Sequence, residues 1–443
     1  MGFTTLTDRT ATQWRAAEFA NTVPYGPRVL IACPDSRPPA YQAVIGLNRF
    51  GLLDQFLTGF YYPAEHRIAG LIRRVAPRRY GRHERILRKR FHPEIPSDRV
   101  CTTWSFDLAL AIENRVSVLR RSLARWRTRQ FDHWLMRRIE RTRPDVVFIF
   151  SDVGSEFTLP RCRELGIPTV LSVVHGDVNE EIEVLERESC RAPEFMPIYL
   201  GDGCLDRNEL NWLHDRRRND AYWADRILVP SDHLASAYER QGTGRDRLRV
   251  IPYAADLQRF TPATNKEHNS SCTFLFAGGI TQRKGIGYLL QAWQRLRRPG
   301  WRLQLLGALP SHFAPLTDYL DGVEWLGRVP HGEVPALMAS ADVFVFPSLF
   351  EGSAVVTYEA LACGLPSIVT PAAGSVVRDG IEGLIIPPGD VDALALAMAD
   401  LGSSPDRRAM MARSARQRAE EFSWERYHAA LVAVVTELDR SLA

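Results

Sequence analysis

The stretch "VFVFPSLFEGSAVVTYEALACGLP", residues 343–366, joins an apolar run to a helix-forming one through a proline, a serine and small residues. The run "DVFVF" reads as a buried strand that Pro347 and Ser348 end, and the helical pattern starts near Ser353 or Ala354. A helix therefore begins at the C-terminal end of a parallel strand. Its unpaired N–H groups and dipole favour an anion, and Gly352, Ser353 and Ala354 are small enough to let a phosphate approach.

Two glutamates, Glu351 and Glu359, stand eight positions apart in this stretch. The interval alone carries nothing, because it also separates Glu156 from Glu164, Glu180 from Glu188 and Glu186 from Glu194. The surroundings carry it instead. Along a helix the interval covers at most about 12 Å, so one carboxylate lies ahead of the helix start and the other on its flank. Carboxylates accept well from vicinal hydroxyls, so a ribose on one side of a diphosphate and a hexose on the other suit two separated acids. A nucleotide sugar has that layout.

Outward from this block, short apolar runs alternate with helical periodicity, the pattern of parallel sheets crossed by helices. "RVLIA" (28–32), "DVVFIF" (145–150), "PTVLSVV" (168–174), "RILVP" (226–230) and "LRVIP" (248–252) read as strands. A second series, "CTFLFAGG", "RLQLLG", "VEWLG", "DVFVFPS", "PSIVTP" and "GLIIPPGD", follows the polar stretch "PATNKEHNSS" (262–271). A chain of 443 residues suits two domains rather than one core. The expected division is an N-terminal domain over 1–252, a linker over 253–271, a nucleotide-sugar-binding domain over 272–421 and a closing helix over 422–443. The expected fold is α/β, with two doubly wound Rossmann-like domains facing a central cleft.

Composition excludes several classes. The 45% apolar and 24% charged fractions are those of a globular chain and not of a disordered one. The seven cysteines are scattered, with no C-x-x-C, so neither a disulfide framework nor a zinc site is indicated, and a reducing compartment is expected. No apolar run approaches spanning length and the N-terminus lacks a signal pattern, so a cytoplasmic location is expected. The net charge of +4 hides a basic segment, residues 67–143, with 21 basic and 7 acidic side chains. Either these are solvated faces of amphipathic helices, with Val116, Leu119, Leu123 and Trp126 on the apolar side, or they meet an anionic partner such as a membrane surface. Aromatic residues interleaved for base stacking are missing, and no nucleic acid is expected.

The block at 347–366 resembles the E-x7-E block of the retaining glycosyltransferases called group 1 or family 4, which have two Rossmann-like lobes (the GT-B fold). "FAGGITQRKGIGYLL" (276–290), "LQLLGALP", "VEWLGRVPHGEVPALMASADVFVFPS", "ADRILVPSDHLASAY" and "VIPYAADLQRFTP" extend the likeness over residues 141–430. The resemblance implies that Glu359 binds ribose hydroxyls, that Glu351 contacts the transferred sugar and that Lys284 neutralises the diphosphate. It implies that main-chain N–H groups of Gly278 and of Ser353, Ala354 and Val355 contribute. Main chain near Arg328 and Val329 should meet the base, and His175 should lie near the sugar. Where the family usually has an arginine after the glycine, this chain has Gly279, and Arg283 supplies a charge directly before Lys284.

The implied reaction moves a sugar from a UDP- or GDP-linked donor to a hydroxyl of a saccharide or lipid-linked acceptor, in polysaccharide or glycolipid assembly. The anomeric configuration is retained, and neither a metal nor a cofactor is required. A nucleotide-sugar epimerase of the same fold and a noncatalytic binding subunit are the alternatives; release of nucleotide that requires an acceptor separates them.

Overall fold

In the computed structural model the described residues are 26–35, 38–62, 90–103, 106, 120–201, 207–264 and 271–440. They form two parallel sheets. The first has seven strands: β1 (Val29–Ala32), β2 (Leu53–Thr58), β3 (Val100–Thr102), β4 (Val146–Phe150), β5 (Thr169–Ser172), β6 (Arg226–Val229) and β7 (Leu248–Val250). Their order is β3-β2-β1-β4-β5-β6-β7. The second has six: β8 (Cys272–Ala277), β9 (Trp301–Leu306), β10 (Val323–Gly327), β11 (Val343–Phe346), β12 (Ser367–Val369) and β13 (Gly383–Ile385), in the order β10-β9-β8-β11-β12-β13. Each order starts at its first strand, runs outward on one side and then reverses to the other. The pairs flanking each reversal are parallel, Val29 opposite Val146 and Val343 opposite Phe274.

All eleven runs expected as strands are strands, because continuous Val, Ile, Leu and Phe runs can be buried on both faces of a parallel sheet. The residues of β4, β8 and β11 are buried throughout. Two strands, β2 and β3, fall outside the expectation. In β2, "LDQFLT" interrupts its apolar residues with Asp54 and Gln55, and β3 is a three-residue edge.

By packing, the chain divides into two compact units: residues up to Val170 with Trp223–Asp225 and the chain from Glu425, and Leu171–Tyr222 with Arg226–Trp424. In the first unit the closing helix Trp424–Arg440 lies on the helix Pro38–Arg49. A Cβ at Gly46 would stand 2.7 Å from the His428 ring, and His428 Nε2 donates to Gln42 Oε1 at 3.0 Å. The helix Arg120–Thr142 lies in the basic segment, and Trp126, expected on its apolar side, is 49% exposed. Residues 67–89, 104–105 and 107–119 of that segment, with Val116 and Leu119, lie outside the described residues, as do 265–270 of the expected linker. The six described cysteines are free thiols. Among the described residues no helix is long and apolar enough to cross a membrane.

Candidate functional site

In a doubly wound sheet, ligands bind outside the carboxyl ends of the strands where the order reverses. In the second sheet these are β8 and β11, and the loops after them carry most of the expected site residues. After β8 come Gly278, half-buried, and Gly279, exposed, then a single 3-10 turn, Gln282–Lys284. Gly285 ends the turn at φ 74°, where a Cβ would stand 2.0 Å from the Pro347 carbonyl oxygen, so only glycine fits. That contact brings the turn directly against the end of β11.

Hydrogen bonds hold the turn from two sides. The Arg283 N–H donates to Tyr199 O at 3.1 Å, and Arg283 O accepts from the Leu349 N–H at 2.8 Å and the Ser348 hydroxyl at 3.2 Å. Lys284 Nζ then stands 3.5 Å and the Arg283 guanidinium 3.9 Å from Glu351 Oε1. Lys284 also lies 5.1 Å from the centre of the Phe346 ring. Its Nζ is 3.2 Å from where a Cβ at Gly278 would be, so the missing side chain leaves room for the ammonium.

The Glu351 Oε1 atom is buried and accepts no hydrogen bond, and the Tyr199 Oη and Thr281 Oγ1 atoms are likewise buried without a partner. Buried polar groups are normally satisfied, so these oxygens beside two cations make the place a candidate site for polar groups from outside the chain. Burial pushes the Glu181 carboxyl up, with Arg283 and then Arg217 opposing the shift and Glu351 adding to it. Burial also raises the Tyr199 phenol, and the charge of Glu181 raises it further. Two cations and two acids thus share one small volume.

The loop after β5 completes the group. A Cβ at Gly352 would stand 2.8 Å from Val174 O and 3.0 Å from the His175 carbonyl carbon, so glycine lets the two loops touch. The Ser231 hydroxyl donates to Gly352 O at 2.7 Å and fixes the loop from a third side. His175 is half-buried, with its main chain against Gly352. A cavity of about 190 Å³ begins at Gly176 and Asp177 and extends along His214, Arg217, Tyr238 and Arg247.

The helix after β11 spans Val355–Ala362, one or two residues later than the sequence indicates. The Ala354 N–H already donates to Ala373 O at 3.0 Å, and the Ser353 hydroxyl donates to Gly374 O at 2.7 Å. The Ala354 N–H of the expected phosphate cradle is thus engaged inside the protein, as is the Ser353 side chain. No side chain caps the helix, which leaves Val355 and the residue after it to offer the opening N–H groups. Glu359 is half-buried on this helix, and burial pushes its carboxyl up to about 7 against the opposing charge of Arg259. Arg328 and Val329 follow β10, two places from β8 in the sheet; Arg328 is exposed and Val329 half-buried.

Sequence reading missed Glu181, Glu188, Gln282 and Tyr199. No local signal could have marked them: they lie in ordinary helical or irregular stretches and acquire meaning only by proximity. Among the described residues no group of three or more His, Cys, Asp or Glu is placed to hold a metal ion.

Residues 271–404 match the family described as "Glycosyl transferases group 1", and residues 90–259 match "Glycosyltransferase Family 4". The O-antigen chain mannosyltransferase B of Escherichia coli is 34% identical over 292 residues, which cover 61% of this chain and 70% of that protein. The chain belongs to the group 1/family 4 glycosyltransferases.

Two solved structures share the GT-B fold of this glycosyltransferase. Sucrose-phosphate synthase from Thermosynechococcus elongatus has a TM-score of 0.62 at 18% identity, over 94% of this chain and 98% of that one. HepE from Anabaena, solved with UDP-glucose, has a TM-score of 0.55 at 15% identity, over 94% and 98%. With other curated relatives the shared part of the glycosyltransferase is smaller, 66% of the length of one and 52% of another.

Proposed function

We propose that the protein transfers a sugar from a nucleotide diphosphate donor to an acceptor hydroxyl with retention of anomeric configuration, in polysaccharide or glycolipid assembly. One observation carries the reading: Lys284 and Arg283 converge on a buried, unsatisfied Glu351 oxygen beside an uncapped helix start at the reversal of a doubly wound sheet. The donor is UDP- or GDP-linked and the acceptor a saccharide or lipid-linked sugar.

In this reading the diphosphate lies against the start of the helix at Val355, and Lys284 and Arg283 take up its charge. The bond from the anomeric carbon to the β-phosphate oxygen breaks, and the leaving nucleoside diphosphate keeps the electron pair. Preorganised cations stabilise that developing charge without reorganising. The acceptor oxygen bonds to the anomeric carbon on the same face, and its proton passes to the departing phosphate. Glu351 orients the sugar hydroxyls, His175 borders the sugar, Glu359 accepts from the ribose, and the main chain at Arg328 and Val329 meets the base. Gly278 and Gly279 leave space for phosphate and ribose. Retention rests on family resemblance. No metal is assigned a part.

We further propose domain roles for the division given above, with residues 1–252 on the acceptor side and 272–421 on the donor side, and a cytoplasmic protein that touches anionic membrane through residues 67–143. Sedimentation with anionic vesicles that falls steeply with salt is the expected result for that contact. For the reaction, the purified chain is incubated with a panel of nucleotide sugars, with and without oligosaccharide acceptors. Nucleoside diphosphate release that requires an acceptor is expected. Isomerised donor without acceptor, or no turnover of any bound donor, would overturn it.

A further inference from the structure

The turn that carries Arg283 and Lys284 has a third residue, Gln282, which is 0% exposed. Its side-chain amide nitrogen donates to Glu188 Oε2 at 2.9 Å, and its side-chain oxygen accepts from the Gly287 N–H at 3.1 Å. Glu188 lies on the helix Val178–Arg191 and is only 1% exposed. The Tyr288 hydroxyl, on the helix Ile286–Leu296, donates to the same carboxylate and stands 2.9 Å from each of its oxygens. Burial, and then the charge of Glu188, raises the Tyr288 phenol, so this hydroxyl remains a donor. The fit is close: a Cβ at Gly287 would stand 2.7 Å from Gln282 Oε1 and 2.5 Å from the Phe195 ring.

A carboxylate cut off from water is costly unless its oxygens are matched by donors. Here the donors come from the cation-bearing turn and from the helix that follows it. The other side of the turn is fixed by Ser348 and Leu349 through Arg283 O. The backbone between these anchors carries two adjacent cations near a helix start, a placement that the helix dipole and their own repulsion disfavour. A buried negative charge behind the turn offsets both.

We propose that Glu188 is the positioning residue of the donor site. It holds Gln282 and thereby aims Lys284 and Arg283 at the β-phosphate, and its charge keeps the two cations together while the site is empty. It touches neither donor nor acceptor. The inference rests on the donor reading above and concerns the phosphate end of that donor alone.

Binding of nucleoside mono- and diphosphates is measured by calorimetry on wild type, Glu188→Gln and Glu188→Gln with Gln282→Glu. In the single variant the amide oxygen at 188 still accepts from the residue 282 amide, so the buried charge is removed while that hydrogen bond is kept; the double variant puts the charge back at 282. In the double variant the amide at 188 donates to the carboxylate at 282. The expected result is at least a tenfold loss of diphosphate affinity in the single variant, less than a twofold change for the monophosphate, and recovery of most of the loss in the double variant. A residue that only holds the fold together would instead weaken both nucleotides equally. Equal weakening, unchanged diphosphate affinity, or a double variant no better than the single overturns the proposal. If Glu188→Gln does not fold, Gln282→Ala carries the same test, with the same selective loss expected and wild-type diphosphate affinity overturning it. Wild type that binds no nucleoside diphosphate sinks the donor reading, and this proposal with it. Tight wild-type binding with unaltered variants sinks the proposal alone.

Discussion

The two sheets have the same strand order up to their reversals, and a short helix follows the strand at each reversal, yet the two helix starts are treated in opposite ways. After β4, the helix Thr158–Glu164 is filled from within: Asp132, 0% exposed, accepts from the N–H groups of Glu156 at 2.9 Å, Phe157 at 3.2 Å and Thr158 at 2.9 Å. After β11, the helix Val355–Ala362 has alanine at its cap position and no side chain capping its opening N–H groups, while Lys284 and Arg283 gather on Glu351, ahead of it. Topology makes both places candidate anion sites. The first is already occupied by the protein's own carboxylate, and at the second no side chain takes that place. The strand order thus narrows where a ligand is to be sought, and the partners of the helix N–H groups separate the two candidates.

Lys284→Ala tests the open site most severely. Turnover is expected to fall by about 10²–10³-fold, as for loss of one preorganised donor to developing charge, with the thermal midpoint nearly unchanged. A variant with wild-type turnover would remove Lys284 from the reaction.

Asp132→Ala tests the filled site and should do the reverse. Three N–H groups lose their acceptor, which costs about 2–3 kcal/mol of stability by denaturant unfolding, while nucleotide affinity holds. Weakened nucleotide binding at full stability would mean that the first helix start also serves a ligand.

Glu359→Gln is expected to weaken the donor by about 1–2 kcal/mol in calorimetry. Its pH behaviour sharpens the test. Folded Glu359 keeps its proton up to about 7, whereas the ordinary glutamate releases it near 4.5. Between those values the folded state binds more protons, so this residue's contribution to stability declines as pH rises. Ribose binding by the carboxylate is expected to strengthen over the same interval. The variant should lose both trends, and a donor affinity that stays flat from pH 5 to 8 in wild type would contradict the assignment.

The smallest effect belongs to the closing helix. Burial, aided by Arg49, lowers His428 from 6.5 to about 4. There the unfolded chain binds the extra proton, so stability is fully present above 6.5 and is lost as pH falls towards 4. His428→Gln should flatten that decline in the thermal midpoint by a few degrees and leave donor affinity alone.

Local pattern made much of this legible. Continuous apolar runs marked eleven strands because a parallel sheet buries both faces, and Pro347 with the small residues after it marked the strand-to-helix passage. It failed where burial is uneven, as in β2, and where a group's role depends on a distant partner. Glu188 shows this plainly. It stands eight residues from Glu180, an interval that carries no information, and only the approach of Gln282 and Tyr288 gives its carboxylate a task. Ala354 differs in the other direction: its place suited a phosphate, but its N–H already donates to Ala373 O.

By itself the sequence determined the strands, the loop that follows β11 and the residue types gathered there, because these follow from short-range periodicity and backbone chemistry. Only the tertiary structure decided which helix start stays open, which acid lies behind the cations and which helix the last segment covers. Those outcomes depend on contacts between residues tens to hundreds of positions apart, and no local pattern encodes them.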